Sequence, residues 1–132
     1  MAYVLKGVEN PKQFEGAKKY TNAKGNTECV EFVRQTTGAP NTSIWKRGVR
    51  VKDAIQGEIL PGTAIATFDD EGKYPTDPLG KHAAIFLSKD ENSIKVLDQW
   101  KAQGGVLPRE IQFNSSKAKS RSNNGDTFYV IE

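Results

Sequence analysis

The chain has 132 residues, 36% of them apolar and 27% charged, with a formal net charge of +3. Those values suit one globular domain over 1–132, with a core of its own and too little chain for a second. No run of about eighteen apolar residues offers a membrane span, residues Met1 to Gly7 lack a signal peptide's basic-then-apolar pattern, and a single cysteine excludes an internal disulfide.

In chain order, Tyr3, Val4, Leu5, Val8 and Phe14 are scattered among lysines and glycines, and Pro11 opens a short helix through Tyr20. The strongest helix signal follows. Gly25, Asn26 and Thr27 supply turn and N-cap chemistry, Val30 and Val33 share a face with Phe32 beside them, and Gly38-Ala39-Pro40 stops the run. This predicts a helix from about Thr27 to Thr37, with Glu28 and Glu31 in its first turns, where the dipole favours acids. Cys29 falls in the first turn too. Unpaired N–H groups and the helix dipole lower a thiol pKa there and favour the nucleophilic thiolate.

Trp45 reads as a partly buried packing residue ahead of a substrate contact. Pro61-Gly62 is a turn, and Thr63 to Phe68 a strand. The breaker-rich loop 69–80 leads to His82, the only histidine, at the head of the apolar strand His82 to Leu87. Lys89 to Asn92 turn the chain into a second strand, Ser93 to Trp100, so the two form an antiparallel hairpin. In such a pair the end of one strand lies beside the start of the other, which brings Asp98 near His82. Asp98 shares its face with Ile94, Val96 and Trp100, so it is an inward-pointing acid on an apolar side.

Gly104 to Arg109 read as a turn, Glu110 to Phe113 as a short strand, Asn114 to Asp126 as a polar, mobile loop and Thr127 to Ile131 as a closing strand. The order describes an α+β domain: N-terminal helices packed on a four- to six-stranded, mainly antiparallel sheet.

Taken one at a time, the three residues have ordinary readings. A lone cysteine on an apolar helix face is usually an inert core residue, and an aspartate at a strand end often caps a turn. Together, Cys29, His82 and Asp98 supply a nucleophile, a base and an orienting acid. Rival chemistries are poorer. One Cys and one His cannot build an ordinary zinc site, so neither metal nor cofactor is expected. No glycine-rich phosphate loop is present, and the one basic cluster (Lys117, Lys119, Arg121) leaves a nucleic-acid face as the weakest of the rival readings. Nucleic acid and membrane are therefore not expected as partners.

Thr27-Glu28-Cys29-Val30-Glu31-Phe32-Val33, then Pro61-Gly62-Thr63-Ala64-Ile65-Ala66-Thr67-Phe68, then Gly80-Lys81-His82-Ala83-Ala84-Ile85-Phe86-Leu87 resembles the papain-like NlpC/P60 and CHAP peptidases. With Val96-Leu97-Asp98-Gln99-Trp100 and Phe128-Tyr129-Val130-Ile131-Glu132, the whole chain resembles the type VI secretion amidase effectors, second family. Cys29, His82 and Asp98 match that family's catalytic roles in order, although many members of the wider superfamily carry His, Asn or Gln in the third role. The resemblance implies a papain-like fold and hydrolysis of peptidoglycan stem peptides at the D-alanine–diaminopimelate cross-link. It also implies synthesis in a producer's cytoplasm, export by the type VI secretion apparatus, action in a recipient's periplasm and a cognate immunity protein. The alternatives are a housekeeping or phage NlpC/P60 or CHAP hydrolase cutting another stem-peptide bond, and a non-catalytic interaction domain on the same fold.

Overall fold

The structure, a computed structural model, describes residues 2–5, 20, 21, 23, 24, 28–77, 79–100, 103, 105–115 and 120–132. The expected helix from Pro11 to Tyr20 lies outside them apart from Tyr20 itself. Among the described residues there is one α-helix, α1 (Cys29–Thr37), and one sheet of six strands. The strands are β1 (Arg47–Arg50), β2 (Ala64–Thr67), β3 (Ala83–Lys89), β4 (Ser93–Asp98), β5 (Leu107–Gln112) and β6 (Phe128–Ile131). They lie in the order β1-β6-β2-β3-β4-β5, every pairing antiparallel. The expected α+β class and the β3–β4 hairpin are both present.

β2 and β3 lie in the interior of the sheet, and period-two alternation sends their side chains into two separate cores. Ala64, Ala66, Ala83 and Ile85 face one core, with Leu97, Ile131 and the helix residues Phe32 and Val33. Ile65, Ala84 and Phe86 face the other, with Ile94, Val96, Ile111, Phe128 and Val51. Three alanines on the first face leave room for the helix to approach closely. A nine-residue helix is marginal alone. Complete burial of Phe32 and Val33, about 1.5–3 kcal/mol each, is what holds α1 on the sheet.

α1 starts at Cys29, two residues later than expected, with Glu28 as an extended N-cap that makes no side-chain capping bond. Its stop is as expected: Gly38 adopts φ 77° and donates its N–H to the Arg34 carbonyl at 3.0 Å. The turn expected at 104–109 is corrected from Leu107 onward, because β5 already includes Leu107, Pro108 and Arg109 and ends at Gln112, so the short strand expected at 110–113 is longer. β5 pairs only with β4, and an edge strand tolerates a proline. The polar stretch 114–126, which reads as a mobile loop, carries local turns where it is described. Arg121–Asn123 and Gly125–Thr127 form 3-10 turns, the second capped by the Asn124 side chain. Asp126 ties them to the turn just after β5 and to the 3-10 turn just after β1 by accepting from Asn114 N at 2.9 Å and Lys52 Nζ at 3.2 Å. Trp45 is buried and donates its ring N–H to Pro40 O at 2.8 Å, as a packing residue should.

Candidate active site

Cys29 is the first residue of α1, half-buried, with its backbone N–H among those that a helix start leaves without an intrahelical partner. His82 immediately precedes β3. Its backbone is clamped by one residue of β2: Thr67 N donates to His82 O at 2.9 Å, and His82 N donates to Thr67 Oγ1 at 3.0 Å. Its ring stands edge-on between Trp100 and Phe128, at centroid distances of 6.3 and 6.4 Å. Asp98 is the last residue of β4 and completely buried.

The structure brings all three predicted residues together. Asp98 Oδ2 lies 2.7 Å from His82 Nε2. That leaves Nδ1 for the Cys29 thiol, which lies close enough to feel the His82 ring. Burial pushes the thiol pKa up. The His82 hydrogen bond and charge, the Ala83 N–H and the Tyr74 hydroxyl outweigh it, and the thiol ends below its ordinary value. Burial pushes His82 down, but hydrogen bonds to Asp98 and Cys29 carry it up to about 9. Each group stabilises the charged form of the other, which favours a thiolate–imidazolium pair.

Three further residues complete the geometry. Tyr74, on the loop before His82, sets its hydroxyl beside Cys29, and burial and the adjacent thiolate keep that phenol protonated. Gln99, completely buried, donates to Glu28 O at 2.9 Å and Tyr20 O at 2.7 Å, and accepts from Tyr20 N at 3.1 Å. Arg109 donates its Nε to Asp98 Oδ2 at 2.9 Å. Sequence reasoning missed all three. For Gln99 a signal existed, since it follows an inward-pointing acid at a strand end. Tyr74 and Arg109 lay in stretches that read as loop and turn.

The site opens into a cleft of about 370 Å³ lined by Glu28, Cys29, Val30, Thr42, Tyr74, Lys81 and Trp100. Tyr74, from the loop that leads to His82, forms one wall. Among the described residues no group of three His, Cys, Asp or Glu could hold a metal ion.

A helix opening on a cysteine, packed on an antiparallel sheet that presents a histidine and an acid beside it, is a papain-like α+β architecture. The family model of domesticated amidase effector 2 matches residues 2–131, and the chain belongs to that family. It is similar to a type VI secretion amidase effector 2 protein of Salmonella typhi, 32% identical over 133 residues, covering 93% of this chain and 96% of the relative. It is also similar to the domesticated amidase effector 2 of Ixodes scapularis, 38% identical over 130 residues, covering 96% of this chain and 84% of that one. The solved structure of a type 6 secretion amidase effector 2 (Tae2) matches with a TM-score of 0.80 and 30% identity, covering 98% of this chain and 94% of that chain. The family that the sequence motifs resemble is thus the family to which the chain belongs.

Proposed function

We propose that this protein is a cysteine-dependent peptidoglycan amidase that cuts peptide cross-links of the bacterial wall, with Cys29 as nucleophile, His82 as acid–base and Asp98 as orienting acid. The observation that carries the reading is the meeting of Cys29, His82 and Asp98, with 2.7 Å between the last two and Cys29 in the wall of an open cleft.

The chemistry follows from the atoms. His82 Nδ1 holds the proton taken from Cys29, and the thiolate attacks the amide carbonyl carbon. The oxyanion forms beside the Cys29 N–H at the helix start and the Tyr74 hydroxyl, both fixed donors. The imidazolium gives its proton to the leaving amine, and a thioester remains. Neutral His82 then takes a proton from water, the hydroxide attacks the thioester, and the thiolate returns to the imidazolium. Asp98 holds the ring through both transfers.

The D-alanine–diaminopimelate bond is assigned on the resemblance to the second amidase-effector family. Delivery by the type VI apparatus into a recipient's periplasm rests on the same ground, as does an immunity protein that would cover the cleft in a producer. The two relatives carry names with different settings, a secretion effector and a domesticated effector, so route and chemistry are separable.

The test is digestion of purified sacculi by wild type and Cys29→Ala, followed by mass spectrometry of the fragments. Wild type should remove cross-linked dimers, and the variant should not. Release of other fragments by wild type would transfer the protein to a different stem-peptide bond. An unchanged wall under wild type would remove peptidoglycan as substrate.

A further inference from the structure

Asp98 Oδ2 accepts two hydrogen bonds, from His82 Nε2 at 2.7 Å and from Arg109 Nε at 2.9 Å, while Asp98 Oδ1 has no partner among the described residues. The carboxylate is completely buried. A buried carboxylate needs a compensating charge, and the imidazolium supplies one only while it is protonated. Each time His82 hands its proton to a leaving group, Asp98 would face a neutral ring. Arginine stays charged at every accessible pH, so Arg109 compensates Asp98 in both states.

The guanidinium is itself fixed. It lies over the Trp100 ring at 5.3 Å, and donates from Nη1 to Asn123 Oδ1 and from Nη2 to Ser122 O, both at 3.2 Å. Its strand places it: Arg109 pairs with Val96 on β4, and Leu107 pairs with Asp98.

We propose that Arg109 is a fourth, positioning member of the site: its guanidinium stays paired with the buried Asp98 carboxylate when His82 is neutral, and by sharing Oδ2 it limits how tightly Asp98 holds the imidazolium. This inference rests on the proposed roles of Cys29, His82 and Asp98. The groups that face His82 are Cys29 from α1, Asp98 from β4 and, through Asp98, Arg109 from β5. Tyr74 reaches it through Cys29, and Lys81 precedes it in the chain.

The test uses the only histidine of the chain, whose ring resonances need no assignment. His82 is titrated by NMR in a Cys29→Ala background, which removes the thiol and needs no turnover. Arg109→Met should raise the His82 pKa by about one unit, a tenfold gain in proton affinity. Arg109→Lys should restore it to within a few tenths, and Asn123→Ala, which removes only an outer contact, should leave it in place. In the Cys29 protein, Arg109→Met should lower kcat with its pH profile displaced upward, and Arg109→Lys should recover most of the rate. An unmoved titration in folded Arg109→Met would overturn the proposal, whether or not the protein digests peptidoglycan. If Arg109→Met does not fold, Arg109→Gln carries the same test: it keeps a neutral donor, and its titration must rise for the proposal to stand.

Discussion

The side-chain amide of Gln99 donates to the carbonyl oxygen of Glu28 at 2.9 Å and so joins the residue after the candidate acid to the residue before the candidate nucleophile. The same amide makes two bonds with the Tyr20 backbone. Gln99 therefore sets where α1 begins relative to the end of β4. In Gln99→Leu two carbonyls and one N–H lose their bonds to this amide, each at a cost of up to about 1–3 kcal/mol where the group stays buried. The expected result is a melting temperature lower by several degrees and wall digestion reduced at least tenfold. Equal melting and equal rate would show that the helix start is held by packing alone.

The thiol should be reactive below the ordinary cysteine range. Alkylation of Cys29 by iodoacetamide, followed against pH, should rise with an inflection below that of an ordinary cysteine and move upward in His82→Ala, because the imidazolium that favours the thiolate is gone. Cleavage has a second limit. Above about 9, His82 loses the proton that the leaving amine requires, so turnover should fall there although the thiolate remains. A rate that climbs steadily past that value would argue against His82 as the acid.

Tyr74→Phe removes one hydroxyl and little else. The ring of Tyr74 packs edge-on against Trp45 at 5.0 Å, and phenylalanine keeps that contact. Melting should be nearly unchanged. Loss of a donor to the thiolate and the oxyanion should reduce kcat on wall fragments by roughly 100-fold and raise the alkylation inflection. A full-rate variant would leave the Cys29 N–H as the oxyanion donor.

Gly80 stands between Tyr74 and His82 at φ 96°, and a Cβ there would run into Ser120 Oγ and come within 2.5 Å of Arg121 N. Gly80→Ala should destabilise the protein by about 1–3 kcal/mol and reduce activity, since relief requires moving the segment that carries His82. Arg121→Ala should do less. It removes two hydrogen bonds to Asp77, at 2.7 and 3.0 Å, from a pair that water already screens. Differential scanning calorimetry of the two variants gives the order directly, and a larger loss in Arg121→Ala would reverse this view of the loop.

The three predicted residues were legible because the sequence offered one cysteine, one histidine and a hairpin whose geometry places Asp98. The alternation at 93–98 and the apolar run after His82 are local signals, and local signals survive into the fold. Arg109 was hidden because Gly104, Gly105 and Pro108 are turn residues by propensity, whereas pairing with β4 and an edge position made 107–112 a strand. β1 was hidden for a related reason. Arg47-Gly48-Val49-Arg50 has no apolar alternation, and it is extended because Arg47 and Arg50 pair with Ile131 and Tyr129. The turns at 121–127 depend on Asp77 and Lys52, residues far away in the chain, as well as on Asn114, so composition alone could not show them.

The position of β6 bears on how the protein is made. Residues 128–131 are inserted between β1 and β2, and Phe128 stands behind the His82 ring. On a ribosome, every residue of the candidate triad emerges before the strand that closes the sheet around it. Contacts as distant in sequence as Arg47 and Ile131 form late. A nascent chain is thus expected to carry its thiol, imidazole and carboxylate without the wall that aligns them, so translation itself delays the moment at which a wall-cutting enzyme becomes competent.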